Sequence, residues 1–386
     1  MSNSTRQIHF STANSSGREL QYLKEAMSSG TWGGDAQFSK RCTRMICEAT
    51  GAAHSLVTHS CTAALEMSAF LARIGPGDEV IMPSFTFVST ANAVALRGAT
   101  PVFVDIRPDT LNIDEKLIEE AVGPRTKAVF VVHYAGVCCA MDEINGIARR
   151  RGLLVVEDAA QAYLSTYKGR PAGSLGDMAA FSFHETKNIT SGEGGAFVTG
   201  NLELARHAEI VWQKGTDRGR FMRGEVDKYT WVDLGSSYLP SELVAAVLLA
   251  QLEEAPRINA QRILMWERYD AAFADLERKG LVRRPIIPSE CTHNGHLYYL
   301  LMPDAGSRDA LIKELRELKI GAPFHYVPLH SSPAGRRFGR FAGELPLTDE
   351  LSARLVRMPL HLRLDGDDID RVIGAVRDFV DHRIGE

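Results

Sequence analysis

A single basic side chain, Lys187, stands between an apolar run and a turn rich in glycine. The preceding segment "MAAFSF" (178–183) is typical of a buried strand, and "SGEGG" (191–195) permits the backbone conformations that a crowded site needs. An amine at such a dry strand end can have a lowered pKa and attack a carbonyl carbon, which is the chemistry of a Schiff-base lysine. The alternative is a solvated lysine in an ordinary turn.

Two adjacent carboxylates, Glu157 and Asp158, follow the apolar residues "LLVV". Side chains alternate along a strand, so these two are expected on opposite faces of a sheet. Asp158 fits a helix cap or a structural partner, and it also fits a carboxylate that pairs with a protonated ring nitrogen of a cofactor. Gln161, three residues later, is placed to reach an oxygen of the same ring.

The segment "SCTAALEMSAFL" (60–71) predicts a helix whose first backbone N–H groups are available to an anion such as phosphate. Ser60 and Thr62 equally fit ordinary helix caps. Phe87, in "PSFTFVST" (83–90), stands at a predicted strand-to-helix turn. It fits either a core residue or an aromatic plate that stacks on a flat ring.

The histidines and cysteines lack the spacing of a zinc site, so no metal is expected. His184 and His330 are candidate substrate contacts, with an exposed or hydrogen-bonded structural histidine as the alternative for each. The six cysteines show no paired CxxC spacing, and free thiols are expected in a reducing compartment.

Strand-like and helical segments alternate from about residue 79 onward. This alternation predicts a parallel sheet with crossover helices, and the nearly all-apolar strands indicate that both faces are covered. In such sheets the chemistry gathers beyond the carboxyl ends of the strands. We therefore expect His133, Asp158 and the residues after Phe183 to be neighbours.

The chain of 386 residues is long enough for a large domain and a small one. A helical stretch from Ser241 to Gly280, interrupted near Pro256, predicts the connection between them. The segments that follow mix strands and helices and indicate a small α+β domain. We place the large cofactor-binding domain, with the N-terminal segment, at residues 1–250 and the small C-terminal domain at residues 251–386.

Composition gives no reason to expect nucleic acid or membrane as a partner. The formal net charge is −4 and 45% of the residues are hydrophobic, so neither an anionic membrane nor nucleic acid is favoured electrostatically. No run approaches the roughly 20 apolar residues of a membrane span, and the first residues lack a signal-peptide core. We expect a cytoplasmic protein.

The motifs "SCTAAL", "PSFTFVSTANAV", "VEDAAQ", "SFHETKN" and "GEGGA" occur in an order that resembles the DegT/StrS family of sugar aminotransferases, pyridoxal-phosphate enzymes of fold type I. The resemblance covers nearly the whole chain. It implies an α/β fold with a seven-stranded, mostly parallel central sheet flanked by helices, a small C-terminal α+β domain, and a homodimer with shared active sites.

The resemblance also implies which side chains hold pyridoxal 5'-phosphate. The implied contacts are Cys61, Thr62, Phe87, Asp158, Gln161, Ser182, Lys187 and Ser237. Lys187 would form the covalent link, Asp158 would pair with the ring nitrogen, and Gln161 would contact the ring hydroxyl oxygen. Phe87 would stack on the ring, while backbone N–H groups near Cys61 and the hydroxyl of Ser182 would bind the phosphate.

In "LGSSYLPSEL" (234–243), many relatives carry an asparagine that reaches the phosphate of the partner subunit. The matching residue here is Ser237, so that contact is expected to differ. The candidate substrate contacts are His184, Arg220, Arg223, Tyr326 and His330. The two arginines are suited to phosphates, or they belong to a solvated loop.

The segments "VFVD", "DKYTW" and "FHYVPLH" resemble one branch of the family, which makes dTDP-4-amino-4,6-dideoxy-D-galactose for surface polysaccharides. The implied reaction is a ping-pong transamination in which L-glutamate leaves as 2-oxoglutarate and the cofactor passes through its pyridoxamine 5'-phosphate form. The implied acceptor is dTDP-4-keto-6-deoxy-D-glucose, aminated at C4.

Three alternatives stay open from the sequence. One is an aminotransferase for another keto sugar nucleotide, such as a 3-keto or UDP-linked sugar. A second is the dehydratase branch, in which a histidine replaces the lysine, so Lys187 argues against it. The third is a ligand-sensing relative without turnover, against which the intact Lys187, Asp158 and Gln161 argue.

Overall fold

The structure, a computed structural model that describes residues 6–384, alternates strands and helices along the chain. The strands are β1 (His54–Thr58), β2 (Glu79–Pro83), β3 (Thr100–Val104), β4 (Thr126–Val132), β5 (Leu154–Asp158), β6 (Thr166–Tyr167), β7 (Arg170–Pro171), β8 (Met178–Ser182), β9 (Gly195–Thr199), β10 (Cys291–Thr292), β11 (Tyr298–Leu301), β12 (Arg340–Phe341) and β13 (Leu355–Met358). The helices are α1 (Glu19–Ser28), α2 (Gln37–Thr50), α3 (Cys61–Leu71), α4 (Val88–Ala95), α5 (Glu115–Ala121), α6 (Met141–Arg151), α7 (Leu202–Trp212), α8 (Arg218–Met222), α9 (Glu242–Glu253), α10 (Ala255–Arg278), α11 (Ala305–Glu317), α12 (Pro333–Phe338), α13 (Pro346–Arg354) and α14 (Gly366–Arg383).

The central sheet has the strand order β1-β9-β8-β5-β4-β2-β3-β12. Strand β9 runs antiparallel to β1 and β8, and the other neighbouring strands pair in parallel. The predicted mostly parallel sheet is therefore confirmed. The resemblance implied seven strands, whereas the structure has an eighth, the two-residue strand β12. It comes from the C-terminal part of the chain and lies beside β3, and two residues are too few to show a strand periodicity in the sequence.

Both faces of this sheet are covered by helices, as the apolar strands predict. On β5, Val155 belongs to the core shared with α2 and α9, and Val156 belongs to the core shared with α3 and α7. The same alternation turns Glu157 toward the first core and Asp158 toward the side of α3. Two adjacent carboxylates therefore face different environments.

A third core belongs mainly to the C-terminal part of the chain. Strands β11 and β13 form an antiparallel pair, covered by apolar side chains of α10, α11 and α14. Helix α9 ends at Glu253, and Pro256 lies in the first turn of α10, which confirms the predicted interruption. Within residues 6–384, no helix is both long and apolar enough to cross a bilayer.

The division at residues 1–250 and 251–386 stays a prediction, and several segments cross it. Ile8 pairs with Ile320 and is buried in the core of the C-terminal part. Strand β10 pairs with β6, and β12 extends the central sheet. The two parts are thus joined by backbone pairing as well as by α10.

Candidate active site

A cavity of about 790 Å³ lies beyond the carboxyl ends of β4, β5 and β8. One wall comes from the starts of α3 and α4, and another comes from residues 296–297, 323–327, 357–358 and 360. The predicted residues that line it are Cys61, Thr62, Phe87, Asp158, Gln161, Ser182, His184, Lys187 and Tyr326. The position agrees with the general rule for parallel sheets.

Lys187 lies half-buried in the loop between β8 and β9. Its backbone N–H donates to the carbonyl of His184 at 2.9 Å. The amide of the next residue, Asn188, donates to Asn259 Oδ1 at 2.9 Å and to the carbonyl of Asn294 at 2.8 Å. The neighbouring residue is therefore held against α10, which limits the positions that the lysine can adopt.

The Lys187 amine is open to the cavity and surrounded by protein on its other sides. Burial lowers its pKa, the nearby Cys61 and Asp158 act in the opposite direction, and the charge of Arg357 lowers it further. A lowered pKa increases the fraction of neutral amine, the form that attacks a carbonyl carbon or accepts a proton. The expectation of a lysine in a dry site agrees with this geometry.

Asp158 ends β5 and is 4% exposed. Its Oδ2 accepts a hydrogen bond from the Thr90 hydroxyl at 2.6 Å, and its Oδ1 accepts one from the Ala160 N–H at 3.2 Å. Burial raises the pKa of this carboxyl, and these two bonds and the charge of Lys187 offset part of the increase. Two oxygens with capacity for further donors line the cavity, which suits a protonated ring nitrogen.

Gln161 is oriented by its own hydrogen bonds. Its Oε1 accepts from the N–H of Ala135 at 2.7 Å, so its Nε2 donates to the hydroxyl of Tyr326 at 3.0 Å. The amide NH₂ group therefore points to the side of the cavity where Tyr326 lies.

Phe87 directly precedes α4 and is 55% exposed, so it is not a core residue. Its ring centroid lies 6.3 Å from that of Tyr326. An open aromatic face at a cavity wall is suited to stacking on a flat ligand.

The start of α3 provides a candidate anion site. The Ser60 hydroxyl caps the helix by accepting from the Ala63 N–H at 3.1 Å, while the N–H groups of Cys61 and Thr62 have no intrahelical acceptor. The Thr62 hydroxyl lies 2.7 Å from that of Ser89. Ser60, Cys61, Thr62 and Ser89 all line the cavity, so hydroxyl and N–H donors converge there.

Gly195, the first residue of β9, allows this arrangement. A Cβ atom at this position would collide with the backbone of Ser60 and Cys61. The glycine-rich segment therefore brings β9 directly against the start of α3. Ser182, at the end of the adjacent β8, adds its hydroxyl to the same cavity.

Two of the predicted substrate contacts lie elsewhere in the single chain. Arg220 and Arg223 line a second cavity of about 760 Å³ beside α7. The guanidinium of Arg223 pairs with Glu209 at 2.6 Å and with Glu225 at 2.7 Å, and Arg220 lies 3.4 Å from Glu225. These charges are already partnered, by Glu209 of α7 and by Glu225.

Ser237 and His330 are also outside the first cavity. Ser237 is exposed, and its backbone pairs with that of Gln213. The Nδ1 atom of His330 lies 2.7 Å from the hydroxyl of Ser84. Within one chain, neither side chain lines the cavity around Lys187.

Several residues around the cavity were missed from the sequence: Thr90, Asn188, His296, His325 and Arg357. Thr90 and Asn188 lie inside the quoted motifs, three residues after Phe87 and one after Lys187. Arg357 is the single charged residue in the strand-like run "LVRMP". A charged residue within an apolar strand pattern can be recognised from the sequence, so Arg357 could have been predicted as a site residue. His296 carried no comparable signal.

Within residues 6–384, no group of three or more His, Cys, Asp or Glu side chains is arranged to hold a metal ion. The six cysteines are unpaired thiols. Burial raises the pKa of the Cys61 thiol well above its usual value, and the Asp158 charge adds to this. The thiol is thus a poor nucleophile, whereas burial lowers the pKa of the Lys187 amine in the same cavity.

The chain is similar in sequence to one protein family and in sequence and structure to several known proteins. A sequence model of the DegT/DnrJ/EryC1/StrS aminotransferase family matches residues 14–377. The spore coat polysaccharide biosynthesis protein SpsC of Bacillus subtilis is 38% identical over 370 residues, which cover 94% of each chain. Aminotransferase TlmJ from Streptoalloteichus hindustanus has a TM-score of 0.90 and 32% identity, covering 97% of this chain and 99% of that one.

A third relative is known in cofactor-bound forms. The apo-form of the putative sugar aminotransferase Spr1654 from Streptococcus pneumoniae has a TM-score of 0.90 and 27% identity, covering 98% of this chain and 99% of that one. The same protein has been solved in PLP and PMP forms.

Proposed function

We propose a specific reaction for this chain, which belongs to the DegT/DnrJ/EryC1/StrS aminotransferase family and is a pyridoxal-phosphate-dependent sugar aminotransferase. The amino group of L-glutamate moves to C4 of dTDP-4-keto-6-deoxy-D-glucose, giving dTDP-4-amino-4,6-dideoxy-D-galactose and 2-oxoglutarate. The donor carbon is oxidised to a ketone while the sugar carbon is reduced, so no other redox partner is needed.

The observation that carries the proposal is that half-buried Lys187 and buried Asp158 line one cavity together with an anion site. The cavity residues fit pyridoxal phosphate because each part of the cofactor has a matching group. The start of α3 with Ser89 and Ser182 fits the phosphate, Phe87 fits the ring face, Asp158 fits the ring nitrogen, and Gln161 fits the ring hydroxyl. When bound, the cofactor supplies an electron sink for the carbon that loses a proton.

The protein side chains then hold the reactants and move protons. Lys187 Nζ, in its neutral form, accepts the proton from the α-carbon of the donor; in its protonated form it delivers a proton to the sugar carbon that receives the amine. Asp158 provides a fixed negative charge that Thr90 orients. The buried walls around Lys187 exclude water from the proton transfer.

The sugar assignment has weaker support than the reaction class. It is supported by the motifs "VFVD", "DKYTW" and "FHYVPLH" and by a 38% identical relative named for polysaccharide biosynthesis. We also propose a cytoplasmic homodimer with shared sites and an entry of the product into surface polysaccharide. The dimer is supported by exposed apolar side chains between α8 and α9, namely Tyr229, Trp231, Val232 and Leu234.

The test is turnover of dTDP-4-keto-6-deoxy-D-glucose with L-glutamate, followed by NMR of the product. We expect 2-oxoglutarate and an axial amine at C4. The matched comparators are the 3-keto isomer and the UDP-linked 4-keto sugar. With the nucleotide held in place, moving the carbonyl by one carbon takes it out of reach, and such misplacement is costly in rate.

Faster turnover of the 3-keto or UDP-linked sugar, or an equatorial C4 amine, would overturn the sugar assignment and leave the reaction class standing. Absence of amine transfer from every donor and acceptor, with an intact cofactor absorption band, would instead favour a ligand-sensing relative.

A further inference from the structure

His296 is a nearly buried histidine in the wall of the cavity that contains Lys187. Its side chain is 8% exposed, and the residue belongs to the cavity lining. Arg262 holds the backbone at this point, because its Nε donates to the carbonyl of Gly295 at 3.0 Å and its Nη2 donates to that of His296. The imidazole is therefore carried by a fixed segment, directly before β11.

A series of amide hydrogen bonds determines which imidazole nitrogen carries the proton. Asn259 Nδ2 donates to the carbonyl of Tyr163 at 3.1 Å, so Asn259 Oδ1 is the acceptor for Asn188 Nδ2 at 2.9 Å. A second bond, from Asn188 Nδ2 to the carbonyl of Asn294 at 2.8 Å, requires the same orientation of this amide. Asn188 Oδ1, which can only accept, then lies 2.9 Å from Nδ1 of His296. The ring proton is therefore on Nδ1.

The other ring nitrogen, His296 Nε2, is consequently an acceptor. Within residues 6–384 it has no hydrogen-bond partner, and it is reachable from the cavity. Burial lowers the pKa of the imidazole well below its usual value, and the charges of Lys187, Arg262 and Arg357 lower it further, so the ring stays neutral. A desolvated acceptor without a partner suits a ligand that donates a hydrogen bond.

Among the reactants of the proposed function, the sugar hydroxyls match this nitrogen. The amine of L-glutamate is the group that is transferred, and its carboxylates, like the diphosphate of the sugar nucleotide, only accept hydrogen bonds. Because His296 is bonded to Asn188, the residue after Lys187, its ring belongs to the end of the cavity where the carbonyl carbon reacts. The hydroxyl on the carbon next to the ketone is the donor nearest to that carbon.

We propose that His296 accepts a hydrogen bond from the hydroxyl on the carbon next to the ketone, which is C3 in a 4-keto sugar, and so selects keto sugars that carry this hydroxyl. The inference deepens the proposed function and rests on it, because it takes a keto sugar nucleotide as the acceptor. It does not depend on which nucleotide is attached. His296 is a specificity residue, and the amide of Asn188 fixes its tautomer.

The experiment compares dTDP-4-keto-6-deoxy-D-glucose with its 3-deoxy analogue in the wild type and in His296→Asn. The asparagine side chain keeps an N–H donor for Asn188 and removes the Nε2 acceptor. Calorimetry on the pyridoxal form, which has no amine to transfer, measures Kd without turnover. For the wild type we expect the 3-deoxy analogue to bind roughly 20-fold more weakly, because the acceptor is left without a partner. In His296→Asn the two sugars should bind within about threefold of each other.

Two further comparisons separate a contact with this hydroxyl from a structural effect. The 2-deoxy analogue should lose the same factor in affinity in the wild type and in His296→Asn, because the C2 hydroxyl is not the partner. His296→Gln, whose side-chain oxygen can replace Nε2 as an acceptor, should give an intermediate selectivity for the C3 hydroxyl. Coupling of the substitution to the C2 hydroxyl instead of the C3 hydroxyl would overturn the assignment.

The matched control is His293→Asn, which should keep the wild-type ratio of the two Kd values. His293 is a half-buried histidine of the same segment that does not line the cavity, and its Nδ1 accepts from the N–H of Gly295 at 3.3 Å. The half-reaction with L-glutamate, followed by cofactor absorbance, should keep its half-saturating concentration within about threefold in His296→Asn. A larger change there than in sugar binding would contradict a role in sugar selection.

An unchanged ratio of the two Kd values in His296→Asn would overturn the proposal, and so would a wild type that binds both sugars equally. If His296→Asn does not fold, His296→Gln is the test, and a wild-type ratio in it would overturn the proposal. If the wild type aminates a 3-keto or UDP-linked sugar and not the dTDP-4-keto sugar, the proposed acceptor is wrong. The same comparison, with that sugar and its analogue lacking the hydroxyl beside the ketone, then decides the role of His296.

Discussion

Glu157 and Asp158 are adjacent in sequence but face opposite sides of the central sheet. The two sides differ in how many hydrogen bonds the protein donates to each carboxylate. Glu157 is fully buried. Its oxygens accept hydrogen bonds from the backbone N–H groups of Gly173, Leu175 and Gly176 and from Nε2 of His133, at 2.7–2.9 Å. Asp158 accepts two hydrogen bonds, and its remaining capacity is directed to the cavity.

The difference shows how to separate a structural carboxylate from a functional one of the same kind. Burial alone does not separate them, because both side chains are nearly inaccessible. What differs is how much acceptor capacity the protein itself uses. Glu157 holds the loop after β7 in place, whereas Asp158 keeps capacity for a partner that is not part of the chain.

The largest effect expected on the cavity side comes from Lys187→Ala. Removal of the amine should reduce turnover by roughly 10⁴-fold or more and abolish the borohydride-trappable link to the cofactor, because nucleophile and proton carrier are lost together. The melting temperature of the variant should stay within a few degrees of that of the wild type. Lys24→Ala, on the exposed face of α1, is the control and should keep full activity; a trappable link in Lys187→Ala would contradict the assignment.

Asp158→Asn should give the next largest effect. The substitution keeps the shape and removes the charge that faces the ring nitrogen, so the rate of proton transfer should fall by about 10³-fold with the fold preserved. Stopped-flow absorbance with L-glutamate measures this rate. A rate within tenfold of the wild type would show that Asp158 is as structural as its neighbour.

Glu157→Gln should lower the stability of the protein and change its turnover little, the opposite of Asp158→Asn. An amide NH₂ group replaces one acceptor oxygen and opposes the backbone N–H donors around it, so we expect a loss of about 3 kcal/mol in the free energy of unfolding. The turnover of the folded fraction should change less than tenfold. Chemical denaturation measures the free energy of unfolding, and active-site titration gives the turnover of the folded fraction. A loss of turnover as large as in Asp158→Asn would contradict the assignment of Glu157 as structural and Asp158 as functional.

The smallest effect concerns the pH dependence of stability in the cofactor-free protein. Burial raises the pKa of Asp158 above that of the unfolded chain. The carboxyl therefore favours the folded state most at low pH, and this contribution is lost as pH rises through the folded pKa. Asp158→Asn should match or exceed the wild type in stability at neutral pH, with the advantage shrinking toward pH 4; an advantage that grows on acidification would contradict the sign.

The same comparison explains what the sequence could predict. Alternation along β5 separates Glu157 from Asp158, and the parallel sheet brings Lys187, Asp158 and Gln161 to one edge, because both patterns are local and periodic. His133 was expected beside Asp158, and its backbone N–H does donate to the Asp158 carbonyl at 3.2 Å. Its side chain, however, bonds to Glu157.

The parts that were not predicted depend on pairing between distant segments. The wall containing His325 and Arg357 is set by the pairing of β11 with β13 and by its packing against Phe85 and Tyr134, and no local spacing encodes that contact. The two residues of β12 are likewise placed by tertiary structure. Ser237, Arg220, Arg223 and His330 remain candidates whose roles the single chain does not test.

The backbone carbonyl of His9 accepts a hydrogen bond from Nε2 of His361 at 3.0 Å, although the two residues are 352 positions apart. Phe10 and Leu360, their neighbours, both line the cavity. Translation at roughly 5–20 residues per second separates the appearance of these two segments by roughly 20–70 s. For much of that interval, between the synthesis of β3 and that of β12, β3 has no β12 beside it, and an unpaired sheet edge favours aggregation. The wall that Arg357, Met358 and Leu360 contribute to the cavity is therefore added late in synthesis, and a nascent chain that stalls before β13 lacks it.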